Sequence, residues 1–147
     1  MQDELRLYAI TSLEAIQAMG GNRGKLGAQA GHAYLHAWFD AYERFPKVAK
    51  AYAKSGAAVK VTLVVPTTDE LVGLARLFEA ECGDVLVVPT TEDLRLLEPV
   101  FEAECGVTLV TDAGRTVVKP GTTTFLGVGP ITKERFAELA PGIVPLC

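Results

Sequence analysis

Two copies of one 23-residue pattern restrict what this chain can fold into. The copies cover residues 61–83 and 84–106, and each contains an apolar run typical of a strand that is buried on both faces. A Pro-Thr-Thr stop with acidic residues follows and indicates a helix N-terminus, and Gly83 or Gly106 is expected to cap the helix C-terminus. Because Val107 begins a third apolar run, we predict a strand–helix–strand–helix–strand segment with parallel pairing and right-handed crossovers.

The length and composition predict one globular domain that spans residues 1–147. Hydrophobic residues make up 49% of the chain and charged residues 22%, which is typical of a packed core and not of a disordered chain. No apolar run reaches the roughly 18 residues of a membrane span, and the acidic start predicts no secretory signal, so we expect a cytoplasmic protein. Cys82, Cys105 and Cys147 form no C-x-x-C pair; we therefore expect reduced structural thiols and no metal site.

The rest of the chain alternates between helical and strand-like patterns. Helical periodicity predicts a long helix over 24–44, which Pro46 ends or kinks before a shorter helical piece. Gly129-Pro130 is expected to break the strand before it, and Thr132 is expected to cap the last helix. The other predicted elements are strands at 5–10, 122–128 and 143–146 and helices within 11–22, at 47–54 and at 132–139.

The predicted helix over 24–44 carries a sparse polar stripe on a surface made mostly of small and apolar residues. At about 100° per residue, Lys25, Gln29, His32 and His36 fall within one arc of roughly 60°, and Asp40 lies at its edge. The solvated face of a helix is usually a mixture of many polar and charged residues. An amine, an amide and both histidines of the chain are instead typical of the wall of a site.

The glycine-rich start of this helix matches a phosphate-binding loop only in part. That motif needs a glycine, four residues and then Gly-Lys-Ser/Thr, but Met19 and Leu26 stand in place of the first glycine and of the hydroxyl residue. We therefore exclude hydrolysis of nucleoside triphosphates. Lys25 at a helix N-terminus is still well placed for an anionic group, since free amides, the helix dipole and the ammonium act together there.

Each further candidate residue, taken alone, has a structural explanation that is at least as good as a functional one. His32 is consistent with a structural histidine, and Asp112 with a turn-forming residue, although it follows a buried strand at the place where open α/β sheets bind ligands. Arg115 is consistent with an ordinary surface residue. The threonines of 122–124 are consistent with plain strand formers. Local sequence therefore leaves both interpretations open.

Charge is divided unevenly along the chain, although the net charge is only −4. Residues 20–60 carry seven basic and two acidic side chains, whereas residues 61–106 carry two basic and ten acidic ones. We interpret the acidic segment as solvated helix faces. The basic segment contains the polar stripe and four further lysines, so we predict that it attracts a polyanion. Those lysines are Lys47, Lys50, Lys54 and Lys60.

Three separated motifs occur in an order that is hard to obtain by chance. They are Gly24-Lys25-x-x-Ala28-Gln29-x-x-His32-Ala33, Asp112-Ala113-Gly114-Arg115-Thr116 and Pro120-Gly121-x-x-Thr124-x-Leu126-Gly127-x-Gly129-Pro130. Together with the first strand they resemble the peptidyl-tRNA hydrolases of the second, archaeal and eukaryotic type. The resemblance implies an α/β three-layer sandwich. We expect a mixed, mostly parallel sheet of four to five strands with helices on both faces, widened by the duplicated strand–helix unit.

The resemblance also implies an enzyme that cleaves the ester between a stalled peptide and its tRNA without a metal or cofactor. Asp112, helped by His32, would orient or deprotonate water, or these two residues would exchange roles, and Lys25 would stabilise negative charge on the oxyanion or a nearby phosphate. The partner is then peptidyl-tRNA, with no membrane, and a homodimer is an oligomeric state to test. The catalytic residues carried over are Lys25, His32, Asp112 and Thr124, and the substrate-binding residues are Arg23, Gln29, Arg115, Thr116 and Thr122.

The chain departs from the family pattern in four places, one of which is a longer helix after Ala37. In the other three, the segment 11–23 is longer and less charged than the turn usual there, Asn22-Arg23-Gly24-Lys25 replaces a Gly-Lys-Gly-Lys, and the strand–helix unit is doubled. These departures leave open an inactive family member that binds RNA or a protein, for which the acidic duplication would serve as a docking surface. An unrelated esterase ranks last because the sequence has no nucleophile-elbow serine motif.

Overall fold

The computed structural model of the protein describes residues 4–82, 104–112 and 122–146. Within these residues a five-stranded sheet carries helices on both faces, as the resemblance implied. The strands are β1 (Leu5–Ser12), β2 (Lys60–Val65), β3 (Gly106–Thr111), β4 (Thr123–Thr132) and β5 (Val144–Pro145). The helices are α1 (Leu13–Ala18), α2 (Arg23–Arg44), α3 (Pro46–Ser55), α4 (Thr68–Glu81) and α5 (Lys133–Leu139).

The sheet is mixed but mostly antiparallel, so the prediction of mostly parallel pairing is wrong. The strand order is β3-β4-β1-β2-β5, and β1 with β2 is the single parallel pair among the described strands. β1, β2 and β3 do run in the same direction, as strands linked by helices are expected to do. β4, however, pairs antiparallel with both β3 and β1, and it separates β3 from the strands parallel to it. A strand near the end of the chain thus enters the middle of the sheet.

Local sequence signals agree with the helix boundaries but not with the end of β4. Asn22 and Thr132 cap α2 and α5 with their side-chain oxygens, and Pro46 is the first residue of α3. The sequence predicts that β4 breaks at Gly129-Pro130, and this prediction is wrong because the strand continues to Thr132. The pairing of β1 with β4 shifts by one residue at this point. Such a bulge accommodates a proline within a strand.

Alternate residues of the central strand β1 belong to two separate cores. Tyr8 and Ile10 pack into the core beneath α4 and α5. Leu7 and Ala9 pack on the opposite face, which α2 and α3 cover. This alternation follows from the two-residue repeat of a strand. The two layers of helices therefore hold β1 from both sides.

α2 lies in direct backbone contact with the sheet. A Cβ atom on Gly127 of β4 would fall 2.7 Å from the carbonyl carbon of Ala33, and a Cβ atom on Gly106 of β3 would fall 2.8 Å from the nitrogen of Ala41. Glycine is needed at both positions because a side chain would push the helix away. The prediction that Gly106 caps a helix is therefore wrong, and Gly83 lies outside the described residues. The buried residues of α2 are Gln29, Ala30, Ala33, Ala37 and Ala41.

The first copy of the repeat supplies β2 and α4, whereas most of the second copy lies outside the described residues. Cys82 at the end of α4 and Cys105 before β3 form a disulfide bond, so the expectation of reduced thiols is wrong for this pair. Both cysteines stand at the same position of the repeat, and the bond therefore joins the ends of the two copies. No helix in the described ranges is long and apolar enough to cross a membrane.

Candidate active site

The candidate site lies where the N-terminus of α2 meets the carboxyl end of β3. The side chain of Asn22 starts the helix by accepting a hydrogen bond from the backbone N–H of Lys25 at 3.0 Å. The ammonium of Lys25 then forms an ion pair with a carboxylate oxygen of Asp112, which follows β3. The two side chains are 13% and 2% exposed. At such a buried place each charge stabilises the other more than it would in water, and removing one would deprive the other of this stabilisation.

The backbone also fixes the position of Asp112. Its N–H donates a hydrogen bond to the carbonyl oxygen of Thr122 at 2.9 Å, which extends the pairing of β3 and β4 past the end of β3. The predicted binding residue Thr122 therefore lies beside the predicted catalytic carboxylate. Both residues stand at the edge of the sheet where a strand running parallel to β1 ends, and open α/β sheets bind ligands at such edges.

A bulge in β4 turns Thr124 towards α2. Val110 pairs with Phe125, whereas the next residue of β3 pairs with Thr123, so Thr124 is an extra residue on β4. In a regular strand, Thr124 and Phe125 would point to opposite faces of the sheet. Because of the bulge both reach the α2 side: Phe125 packs beneath the helix, and the hydroxyl of Thr124 donates to Oε1 of Gln29 at 2.6 Å.

Thr124 and Gln29 form the buried floor of the site, with 0% and 6% exposure. The hydroxyl of Thr11 on β1 donates to the carbonyl oxygen of Thr124 at 2.6 Å and fixes the bulge from below. The hydroxyl of Thr124 also lies 3.3 Å from the carbonyl oxygen of Val110. Contacts with β1 and β3 thus fix Thr124 on β4, and Thr124 in turn sets the orientation of the Gln29 amide.

His32 and Arg23 lie on the exposed side of α2. The ring of His32 has its centre 6.0 Å from the ring centre of His36. In the part of the chain that the structure describes, the ion-pair partner of Asp112 is Lys25 and not His32. The structure therefore brings Lys25 and Asp112 together, while joint action of Asp112 and His32 stays a prediction.

Asp40, at the far end of the predicted polar stripe, has a structural role. One of its carboxylate oxygens accepts a hydrogen bond from the backbone N–H of Val107 at 2.9 Å and pairs with Arg44 at 2.6 Å. Arg44 also donates to the carbonyl oxygen of Cys105 at 3.5 Å. The polar stripe of α2 therefore has a candidate catalytic residue, Lys25, at one end, whereas Asp40 at its other end anchors the start of β3.

Sequence reasoning missed Thr11, although a signal was available. Thr11 is a fully buried hydroxyl residue at the end of an apolar strand, and such a group must find a hydrogen-bond partner. Arg115 and Thr116 lie outside the described residues, so their predicted roles stay predictions. Among the described residues, no three side chains of His, Cys, Asp or Glu lie close enough to hold a metal ion.

The arrangement suits the addition of water to a carbonyl group. A buried carboxylate can orient water and accept its proton, and an adjacent ammonium can stabilise the negative charge that develops on the carbonyl oxygen. The amide of Gln29, held by Thr124, lies one helical turn from Lys25 on the same face of α2. Hydrolysis of an ester is the reaction that these groups fit.

Comparison with known proteins finds the similarity that the motifs predicted. The family model described as Peptidyl-tRNA hydrolase PTH2 matches residues 78–142. The peptidyl-tRNA hydrolase of Methanocaldococcus jannaschii is 27% identical over 121 residues, which are 82% of this chain and 85% of that protein. The mitochondrial peptidyl-tRNA hydrolase 2 of Mus musculus is 31% identical over 117 residues, which are 80% of this chain and 52% of that protein. The predicted resemblance to this family is confirmed.

Proposed function

We propose that this relative of the type 2 peptidyl-tRNA hydrolases hydrolyses the ester bond between a peptide and tRNA and so returns the tRNA to translation. The observation that carries the proposal is the buried ion pair between Lys25 and Asp112, since it joins two of the three separated motifs at one edge of the sheet. The third motif contributes Thr124, which reaches the same helix through its hydrogen bond to Gln29.

In the proposed reaction, Asp112 orients a water molecule and takes its proton as the water oxygen attacks the ester carbonyl carbon. The carbonyl oxygen becomes negatively charged, and the ammonium of Lys25 stabilises that charge. When the tetrahedral intermediate collapses, the bond from the carbonyl carbon to the ribose oxygen breaks, and the proton passes to the ribose oxygen. The products are a peptide with a free carboxylate and a tRNA with a free ribose hydroxyl.

The remaining residues are proposed to hold the substrate. Because Thr124 binds the oxygen of the Gln29 amide, the N–H₂ end of that amide is the end that can donate to a substrate carbonyl. Thr124 then acts as a positioning residue through Gln29. His32, on the exposed side, is proposed to assist the proton transfer. The residues proposed to bind the tRNA end are Arg23, Arg115, Thr116 and Thr122.

We also propose that the reaction needs no metal. An ammonium in contact with the carboxylate of Asp112 repels a divalent cation from that oxygen. Incubation with EDTA should therefore leave the rate unchanged, and a loss of rate that added zinc or magnesium restores would contradict this proposal. The proposed location is the cytoplasm, where translation supplies the substrate, and the proposed oligomer is a homodimer. Cell fractionation and sedimentation velocity test these two points.

Release of tRNA from an N-acetylated aminoacyl-tRNA by the purified protein tests the proposed activity directly. The wild type should turn over this substrate, and Asp112→Asn should be at least about a hundredfold slower, since a general base contributes roughly 10²–10⁴-fold. Asp69→Asn removes an exposed carboxylate on α4 and is the matched control, which should keep the full rate. Circular dichroism and thermal melting establish that both variants are folded.

Two outcomes would change the proposal in different ways. Equal rates for the wild type and Asp112→Asn would remove this carboxylate from the mechanism. Binding of tRNA by a wild-type protein that shows no turnover would instead support the alternative of a binding module.

A further inference from the structure

One face of α3 carries three exposed lysines, Lys47, Lys50 and Lys54, here called the lysine stripe. At about 100° per residue they fall within an arc of roughly 60°, and they span about 10 Å of the helix axis. α3 contains no acidic residue. The three ammonium groups therefore form a single positive surface on this helix.

The lysine stripe is held by a helix that is well anchored on its other side. Val48, Ala49 and Tyr52 of α3 are buried against α2 and β1. The indole N–H of Trp38 donates to the carbonyl oxygen of Ala49 at 3.0 Å. With one face of the short helix fixed in this way, the lysines on the other face point away from the core.

A fourth cation extends the positive surface beyond α3. The ammonium of Lys60, at the start of β2, lies 6.0 Å from the centre of the Tyr52 ring. It also donates to the carbonyl oxygen of Ala58 at 2.9 Å. Both contacts keep Lys60 beside the helix that carries the lysine stripe.

The two helix layers of the sandwich carry opposite charge. α3 has three lysines and no acidic residue, whereas α4 on the other face of the sheet has four acidic residues and one arginine. An acidic protein that binds a polyanion must do so through a local positive surface. The layer formed by α2 and α3 provides that surface, and it is also the layer that holds Lys25.

α2 connects the lysine stripe to the candidate site and sets the distance between them. Val48 belongs to the same core cluster as Ala41, and Tyr52 to the same core cluster as Ala37. These α2 residues follow Lys25 by 16 and 12 positions, which corresponds to about 20 Å along the helix axis. Along a nucleic acid duplex this distance covers several base pairs.

We propose that the lysine stripe binds the phosphate backbone of a double-helical part of the tRNA while the ester lies at the candidate site. This inference rests on the proposed function, because it takes tRNA as the ligand. The contact is remote from the reaction, so it contributes to substrate binding and not to the chemical step. A substrate with a single nucleotide cannot reach from Lys25 to α3.

The test compares two variants that change the net charge equally. Lys50→Gln with Lys54→Gln removes two charges from the lysine stripe. Lys47 is kept because its ammonium also interacts with Glu104, where it partly offsets the rise in pKa that burial causes. Arg76→Gln with Lys133→Gln removes two exposed charges from α4 and α5 on the opposite layer. Binding of deacylated tRNA is followed by fluorescence anisotropy at several salt concentrations.

We expect the lysine-stripe variant to bind tRNA roughly two- to thirtyfold more weakly than the control, because each of the two exposed contacts that it loses contributes about 0.2–1 kcal/mol. The slope of log K against log salt should fall by about two. KM for N-acetylated aminoacyl-tRNA should rise with kcat unchanged, and hydrolysis of N-acetylated aminoacyl-adenosine should not change.

Equal tRNA affinity and equal salt slopes for the two variants would overturn the inference, as would a wild type that does not bind tRNA. The binding titration does not depend on turnover. An inactive wild type that loses tRNA affinity in the lysine-stripe variant would therefore refute the proposed hydrolysis and still support the binding surface.

Discussion

Gly127→Ala is the substitution that most directly tests how the fold builds the candidate site. Gly127 lies on β4 beneath α2, three residues after Thr124. A Cβ atom there would lie 2.7 Å from the carbonyl carbon of Ala33 and 2.9 Å from a methyl group of Thr108, whereas ordinary contacts begin at 3.4 Å. The methyl group of Thr108 can move slightly, but the backbone of a helix moves only as a unit.

The geometry sets the size of the expected effect. To restore an ordinary contact with this carbon, α2 must move away from β4 by about 0.7 Å, the difference between 3.4 and 2.7 Å, and the carbonyl oxygen of Ala33, which lies closer still, requires a larger movement. Overpacking of this kind costs roughly 1–3 kcal/mol, and each kcal/mol lowers the Tm of a domain of this size by about 2–4 °C. Because α2 carries both Lys25 and Gln29, the same movement misplaces two site residues at once. A misplacement of about 1 Å can reduce a rate by roughly a hundredfold.

Thermal melting and peptidyl-tRNA turnover well below the Tm are measured on Gly127→Ala and on Gly31→Ala. Gly31 lies on the exposed face of α2 with open space where a Cβ atom would lie, so alanine there should stabilise the helix by up to about 1 kcal/mol and leave the rate unchanged. An unchanged Tm for Gly127→Ala would refute the backbone contact between α2 and β4. A lower Tm with full activity would refute the link between the position of α2 and the chemistry.

Two further predictions concern the floor of the site and the start of β3. Thr124→Val leaves Oε1 of Gln29 without its donor, which should lower the free energy of unfolding by about 1–3 kcal/mol and lower kcat, with KM for tRNA unchanged. Thr124→Ser should restore both the stability and kcat. A valine variant with wild-type kcat would refute the positioning role. Burial raises the pKa of Glu104, so the stability that this carboxyl contributes is present below its unfolded pKa and is lost as the pH rises through the folded pKa. Glu104→Gln should therefore have a higher Tm than the wild type near pH 7 and the same Tm near pH 4, and a difference independent of pH would contradict this assignment.

Local sequence signals were sufficient to predict the helices and the positions of Lys25 and Asp112. Asn22 and Thr132 are good capping residues, and Pro46 can occupy only the first turn of a helix, so the helix starts follow from short segments of sequence. Lys25 was placed at a helix N-terminus and Asp112 at the end of a strand. Their contact required only that α2 begins and β3 ends at the same edge of the sheet.

The pairing of the strands could not be predicted in the same way. The position of β4 between β3 and β1 depends on contacts between residues more than a hundred positions apart, such as the bond from Thr11 to Thr124. The bulge at Thr124 has no local signature either, because three consecutive threonines fit a regular strand equally well. Without the bulge, the strand pattern places Thr124 on the face of the sheet opposite to α2, away from Gln29.

The repeat misled the prediction of a parallel sheet, but its own sequence explains why the first copy forms α4. Ala75 is 1% exposed in the core, and the second copy has Glu98 at the equivalent position, followed by Pro99. A buried glutamate and a proline inside a helix would each destabilise a copy packed in this place. The two copies are alike in pattern but differ at one of the positions that face the core in α4, and the disulfide links their equivalent ends.

The separation of buried and exposed charge explains how a protein with a net charge of −4 can act on a polyanion. The pair of Lys25 and Asp112 is neutral as a unit, so it adds little long-range attraction for tRNA, although the proposed reaction takes place beside it. Attraction must then come from exposed cations, which among the described residues include those of α2 and α3 and Lys60. Salt screens exposed charges over about 10 Å and affects a buried pair much less. For this reason we expect the affinity for tRNA and the rate of the bound complex to depend on different residues, so that changes in the lysine stripe leave the chemical step unaffected.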